Sequence, residues 1–211
     1  RSTLFPYTTL FRSGRRHITI DGGTWKAASG AGYKGSSFAF LHGSDIVLKN
    51  MNVTHTNYDG HAFEFIACKN VTMDRITISP RGKKNKSFEA MVQIDIATNA
   101  TAPRLKGTGL VNGAICKNVT VTHSKIKGNR TITTGWAYKD AKWKNKAHTG
   151  ITITNNTLTS SHGEGLALTN VKNATISHNT ILSKYNKTSK VKSCGVHILT
   201  MGKIKNTKYI M

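Results

Sequence analysis

The sequence predicts an all-β fold, a right-handed parallel β-helix, on three observations: a spacing that returns along the chain, a two-residue alternation inside each copy, and bend-forming residues at fixed places. Take Val71 as a reference. The residue two further on is apolar (Met73), and so is the residue seven further on (Ile78). The same ruler fits Ile18/Ile20/Trp25, Ile46/Leu48/Val53, Val119/Val121/Ile126, Ile151/Ile153/Leu158 and Ala174/Ile176/Ile181, and a ragged last copy is expected to begin near Ile204-Lys205-Asn206-Thr207. The references lie 28, 25, 48, 32 and 23 residues apart, so a basic coil of 23 to 28 residues is interrupted by insertions in the third and fourth intervals.

Each copy reads as strand, bend, strand. Ile, Val, Thr and Leu dominate it with a period of two, and no long stretch carries a helical period, which excludes leucine-rich, ankyrin and tetratricopeptide arrays. Just before the reference stands Asn70, Asn118 or Asn173, replaced in two copies by Asp45 and Gly150; these residue types tolerate a left-handed backbone. Coils of a β-helix stack about 4.8 Å apart, so equal positions form columns. Cys68 and Cys116 then share an interior column as free thiols, and the three asparagines are expected to bond up a ladder that satisfies the buried backbone of the bend. The repeat resembles the pectate lyase-like superfamily over roughly residues 15 to 211, and the resemblance implies the β-helix fold and an extracellular or cell-surface location.

Arg1 to Ser13, RSTLFPYTTLFRS, is what a common short-read sequencing adapter encodes when read in frame, and it is set apart from the domain. Residues 14–211 are expected to form one solenoid domain of about six coils, truncated at both ends and monomeric at full length. No apolar run approaches the roughly 18 residues of a membrane span. Three cysteines without metal-type spacing argue for buried thiols rather than a metal site.

Charge is the most skewed property: 31 Lys plus Arg stand against 9 Asp plus Glu, a formal +22, which favours a polyanionic partner. A nucleic-acid reader would interleave aromatics with its lysines; only Trp136 and Trp143 beside Lys139 and Lys142 approach that pattern, so an acidic polysaccharide is the expected partner. The Asn-x-Thr triplets follow from the repeat, which places Asn at a bend ahead of a strand, and do not by themselves indicate glycosylation.

The strand ahead of each Asn bend is expected to build the working face. In the second coil Phe63 and Phe65 point inward and Glu64 outward; in the third, Val92, Ile94 and Ile96 are inward while Gln93 and Asp95 are displayed. The insertions Pro80 to Phe88 and Ala97 to Ile115 are expected to wall this face. Thr131 to Trp136 is one candidate strand of the fourth coil among several registers. In the fifth coil Ser161 to Leu168 aligns with Tyr58 to Phe65, placing Glu164 opposite His61, and in the sixth His197 points outward.

Asp59, Glu64, Glu89, Asp95 and Glu164 thus fall on or beside one face, a concentration in a chain this poor in acids. Carboxylates stacked at sheet spacing repel unless a proton, a cation or a metal intervenes. Carboxylates one coil apart, about 5 Å, suit a retaining glycosidase, and two coils apart, about 10 Å, an inverting one. The candidate catalytic groups are therefore Glu64, Asp95 and Glu164 with His61 and His162 as proton-sharing neighbours. Asp59, Glu89, Gln93, His197 and Lys205 are candidate substrate-binding residues. The motif order also resembles polygalacturonase-type glycoside hydrolases, through Asn57-Tyr58-Asp59-Gly60, Asp95, Ser161-His162-Gly163 and Lys203-Ile204-Lys205. Here the Asp pair is single, the Arg is Lys203 and the first-to-third spacing is a coil too long, so the resemblance implies an acidic-sugar polymer rather than that mechanism. Three functions remain open: a hydrolase, a lyase using Ca2+ held by carboxylates, and a non-catalytic surface or wall-associated β-helix that binds anionic polymer. No cofactor is required by the sequence.

Overall fold

The computed structural model describes residues 9–11, 15–27, 35–56, 60–81, 89–135, 141–184 and 195–211. They form a parallel β-helix of three sheets, every pairing within them parallel. The first sheet contains Thr9–Phe11, Phe38–Leu41, Phe63–Ile66, Ala90–Asp95, Arg130–Gly135, Leu166–Thr169 and Val196–Leu199. The second contains Arg16–Asp21, Ser44–Lys49, Lys69–Asp74, Lys117–Thr122, His148–Thr154, Val171–Ser177 and Tyr209–Ile210. The third contains Thr24–Lys26, Asn52–Thr56, Thr77–Arg81, Lys125–Gly128, Thr157–Ser160 and Thr180–Ser183.

The spacing rule is the register itself. Ile18, Ile46, Val71, Val119, Ile151 and Ala174 pair in succession in the second sheet, and Trp25, Val53, Ile78, Ile126, Leu158 and Ile181 in the third. Because alternate side chains face one way, these residues stack into one apolar interior with Phe38, Phe63, Val92, Ile132 and Leu166 of the first sheet. Like stacks on like: Phe38 lies 4.8 Å from Phe63 at 11°, and Phe40 5.5 Å from Phe65 at 12°. The last copy differs from expectation. Tyr209, not Ile204, pairs with Ala174, and its ring packs on the core while its hydroxyl donates to the Val171 carbonyl.

Two columns of left-handed residues turn the chain. The position before the reference has φ between 53° and 69° at His17, Asp45, Asn70, Asn118, Gly150 and Asn173. A second column, four past the reference, holds Gly22, Asn50, Arg75, His123, Asn155 and His178, all at positive φ. Such backbone costs an L-residue about 1 kcal/mol or more, and side-chain bonds between coils offset it. Asn118 Nδ2 donates to Asn70 Oδ1 at 3.1 Å and Asn70 Nδ2 to Asp45 Oδ1 at 2.8 Å. This ladder is exposed, not buried as expected, since the left-handed bend throws its side chains outward. It stops at Gly150, where a Cβ would come within 2.6 Å of Asn118 Oδ1.

The buried ladder lies one residue after the second bend. Ser124 Oγ accepts from Ile76 N at 3.0 Å, Asn156 Oδ1 from Ser124 N at 2.9 Å and Asn179 Oδ1 from Asn156 N at 3.0 Å, while Asn156 Nδ2 and Asn179 Nδ2 donate to the Val121 and Ile153 carbonyls. These amides hold the turn between the second and third sheets.

Cys68 and Cys116 are buried free thiols, as expected, and His148 continues their line: Cys68 N lies 3.3 Å from Cys116 Sγ, and Cys116 N donates to His148 Nδ1 at 3.0 Å. Burial pushes the Cys68 thiol up to about 12 and the His148 imidazole down to about 4, so the interior of the coil stays uncharged. Cys194 lies outside the described residues.

Thr9–Phe11, from the segment set apart in sequence, pairs with Phe38–Phe40.

The two asparagine ladders have different energetics. Asn156→Ala strands buried backbone groups and is expected to lower the unfolding free energy by about 1 to 3 kcal/mol. Asn118→Ala loses left-handed tolerance and an exposed bond, about 1 kcal/mol, and Asn118→Gly is expected to be nearly neutral. Denaturant midpoints check this, and equal losses in Asn156→Ala and Asn118→Gly would contradict the assignment.

Candidate functional site

The outward positions of the first sheet form two columns. One runs Ala39, Glu64, Gln93, Thr133, Ala167 and His197 in successive coils. The other contains Leu41, Ile66, Asp95 and Gly135. Glu64 is therefore beside Gln93, and Asp95 beside Ile66. Of the two one-coil partners open to Glu64, Gln93 or Asp95, the register pairs it with Gln93, and Asp95 stands diagonal to it in the next coil.

Gln93 and Asp95 point outward yet are not displayed: each is 2% exposed. The Ala97 to Ile115 insertion folds back as the expected wall and packs Ala97, Ala102, Leu105, Val111 and Ala114 against Leu41, Ala67 and Ile66, the register partner of Asp95. A turn of 3-10 helix, Pro103–Leu105, and the Gly113 N to Ala97 O bond at 2.8 Å fix it there. Beneath the wall, Gln93 Nε2 donates to Asp95 Oδ1 at 2.7 Å and Thr133 Oγ1 donates to Gln93 Oε1. Burial pushes the Asp95 carboxyl well above the usual range, and the charges of Glu64 and Glu89 push it the same way, with the Gln93 bond offsetting only part. Of the other wall, residues 82–88 lie outside the described residues.

Among the described residues, the remaining carboxylates of this face are each tied to a neighbour. Glu64 is half-buried and its Oε2 accepts from Ser36 Oγ at 2.8 Å. His61, buried rather than lying open beside the face, donates through Nδ1 to the Ala90 carbonyl at 2.7 Å, and its Nε2 lies 3.3 Å from Glu89 Oε2. Glu164 aligns with His61 as expected, two positions before the inward Leu166, but is 3% exposed. Its Oε2 lies 2.7 Å from Arg130 Nε and its Oε1 3.3 Å from His197 Nδ1. Burial alone would raise the Glu164 carboxyl; the Arg130 charge, its own backbone N–H and His197 outweigh this and hold it below the usual range.

His162 is buried too, with Nδ1 2.9 Å from Ser161 Oγ. His197 is outward and about half exposed, as expected. Lys205 is exposed on the segment joining Val196–Leu199 to Tyr209–Ile210, past the far end of its strand from Glu164. Asp59 lies outside the described residues.

The structure thus brings together Glu64, Glu89, His61, Gln93 and Asp95 in the second and third coils, and separately Glu164, Arg130 and His197. Arg130, Ser36 and Thr133 are contributors that sequence reasoning missed. For Arg130 a signal existed: it stands two positions before Ile132 as Glu164 stands two before Leu166, so the correct fourth-coil register would have placed the pair one coil apart. Among the described residues, no group of three or more His, Cys, Asp or Glu side chains is placed to hold a metal ion, and no helix is long and apolar enough to cross a membrane.

No family model and no curated protein matches the chain. Among solved structures it is similar to PfbA, a surface adhesin of Streptococcus pneumoniae, with a TM-score of 0.59 and 19% identity. The match covers 78% of this chain and 40% of that one, so the chain spans about two-fifths of the adhesin's length. Identity this low makes the likeness one of fold, and that fold is the parallel β-helix. The finer resemblance to the pectate lyase-like superfamily is matched by no family model.

Asp95 supplies a stability test. A carboxyl whose folded pKa is raised contributes stability that is complete below its unfolded pKa of about 4 and is lost as pH rises through the folded value. The buried acid therefore destabilises the fold at neutral pH, and Asp95→Asn removes that burden while keeping the shape. Its unfolding midpoint is expected to exceed the parent's at pH 7, with the gain vanishing as pH falls to about 4. A lower midpoint at pH 7, in a variant that retains the parent's circular dichroism, would contradict the burial of a protonated acid.

Proposed function

We propose that this chain is a cell-surface β-helix that holds an extended acidic polysaccharide without cleaving it. The observation that carries this reading is the state of the face carboxylates. Ser36 engages Glu64, His61 engages Glu89, Arg130 and His197 engage Glu164, and Asp95 lies beneath the wall bonded to Gln93. Hydrolysis of a glycosidic bond needs an acid and a second carboxylate both facing the sugar; Asp95 is covered, Glu164 is held in a buried ion pair, and the half-exposed Glu64 and Glu89 are held by Ser36 and His61. The excess of 31 cations over 9 acids supports a polyanionic ligand. The fold likeness to a surface adhesin is compatible with the location.

Cleavage is the second reading, favoured by one feature: burial and the neighbouring Glu64 and Glu89 push the Asp95 carboxyl well above the usual range, the direction a general acid needs. The lyase form of it would need Ca2+, for which no group of three or more carboxylate or histidine ligands is placed among the described residues.

Both readings are decided by measuring binding and turnover together on a polyuronate panel with dextran as the neutral control, with and without added Ca2+. The expected result is saturable binding of polyuronate that weakens linearly in log–log form with salt, and no release of reducing ends or unsaturated uronides. Turnover abolished by Glu64→Gln or Asp95→Asn would establish cleavage instead, and absence of binding to any polyuronate would overturn the proposal.

A further inference from the structure

We propose, resting on the reading above, that the acidic polymer lies not on the outward face of the first sheet but along the ridge where the chain turns into the second. The position two before the reference runs Arg16, Ser44, Lys69, Lys117, Thr149 and Lys172 in successive coils. Four of these six are cationic, and Lys69 pairs directly with Lys117. Like charges facing one another across a sheet are unfavourable, and among the described residues no carboxylate lies within ion-pair distance of Lys69, Lys117 or Lys172. Asp45, beside this column, accepts a hydrogen bond from Asn70 at 2.8 Å. The ridge is a charge array without an internal counter-charge of matching size, and an external polyanion supplies one.

Geometry specifies the polymer. The cations recur about 5 or about 10 Å apart over five coil intervals, about 24 Å in all, a regular linear array that suits an extended chain carrying one carboxylate per sugar. The next outward column of the same sheet is Thr19, Val47, Thr72, Thr120, Thr152 and Thr175, and its five threonine hydroxyls can bond sugar hydroxyls and ring oxygens. Neither column holds an aromatic on which a nucleobase could stack. At the sixth coil the segment bearing Lys144 and Lys146 is pinned to the ridge, because Asn170 Nδ2 donates to both their carbonyls, at 2.9 and 3.2 Å. The first sheet offers the opposite: Glu64 outward with Glu89 beside it, a face that repels a carboxylated polymer.

The test is fluorescence anisotropy of a labelled oligogalacturonate against the full chain. It compares the parent, the triple variant Lys69→Thr/Lys117→Thr/Lys172→Thr, the third-sheet control Lys125→Thr/Lys127→Thr, and Glu64→Gln. Threonine already occupies this column at Thr149, so the triple variant is expected to keep the parent's circular dichroism and melting. It is expected to bind about tenfold or more weakly, with a log–log salt slope shallower by about two to three, while the control stays near the parent. Unchanged affinity in the triple variant, with a change in Glu64→Gln, would put the polymer on the first sheet and overturn the ridge while leaving the proposed function standing. An equal loss in the control would reduce the ridge to bulk charge and overturn it likewise. Failure of the parent itself to bind would overturn the proposed function. Tighter binding of a thymidine oligonucleotide of equal charge would replace the polysaccharide by nucleic acid.

Discussion

Everything in this molecule depends on the registered stacking of coils, in which a residue meets its own counterpart from the coil below. That stacking demands that each coil bend at the same places, and the demand is visible as two columns of left-handed residues, before and after the reference strand. Where a coil supplies Asn, Asp or Gly the bend is tolerated; where it supplies Arg75, His17, His123 or His178 the strain is accepted because the strands on either side are already paired. The parallel ladders and the apolar interior over-determine those backbones. A single register slip would turn every inward residue outward.

The same constraint explains the chemistry of the faces. A β-helix repeats whatever its columns contain, so like charges accumulate wherever a position is outward and polar. The first sheet answers with cross-coil partners, Arg130 for Glu164 and His61 for Glu89, and with a wall that removes Asp95 from water altogether. At the head of the second sheet Arg16, Lys69 and Lys117 are exposed and Lys172 is half-buried, and among the described residues none of the three lysines has an acid at ion-pair distance. One face carries acids held by cross-coil bonds and the other a row of cations with no acid at ion-pair distance from Lys69, Lys117 or Lys172 among the described residues, and that contrast, rather than the mere count of acids, is what orients the functional reading.

Much of the fold was legible because period-two strands with a constant internal offset leave few alternatives: six reference residues and their partners seven positions on fall into register as read. The inward Phe63, Phe65, Val92 and Ile94 were legible for the same reason. The burial of Gln93 and Asp95 was not, since strand parity says which way a side chain points and nothing of what folds over it; only the contacts of Leu41 and Ile66 with the Ala97 to Ile115 wall decide that. The ladder of buried Asn156 and half-buried Asn179 escaped because it sits beside the bend rather than in it, while Asn70 and Asn118 recur with regular spacing yet face outward. Tyr209 escaped because the last coil is lengthened, so apolar Ile204 offered a false match to the ruler.

The register itself is open to direct measurement. With methyl-labelled Met, Val, Ile and Leu, nuclear Overhauser contacts in solution should link Leu48 to Met73, Met73 to Val121 and Val121 to Ile153, residues far apart in sequence that stack in one interior column. Those three contacts together are the result this account expects. Contacts that join Met73 instead to Val119 or to a residue of another coil position, with the Met73 to Val121 contact missing, would contradict the stacking on which both the acid-bearing face and the basic ridge depend.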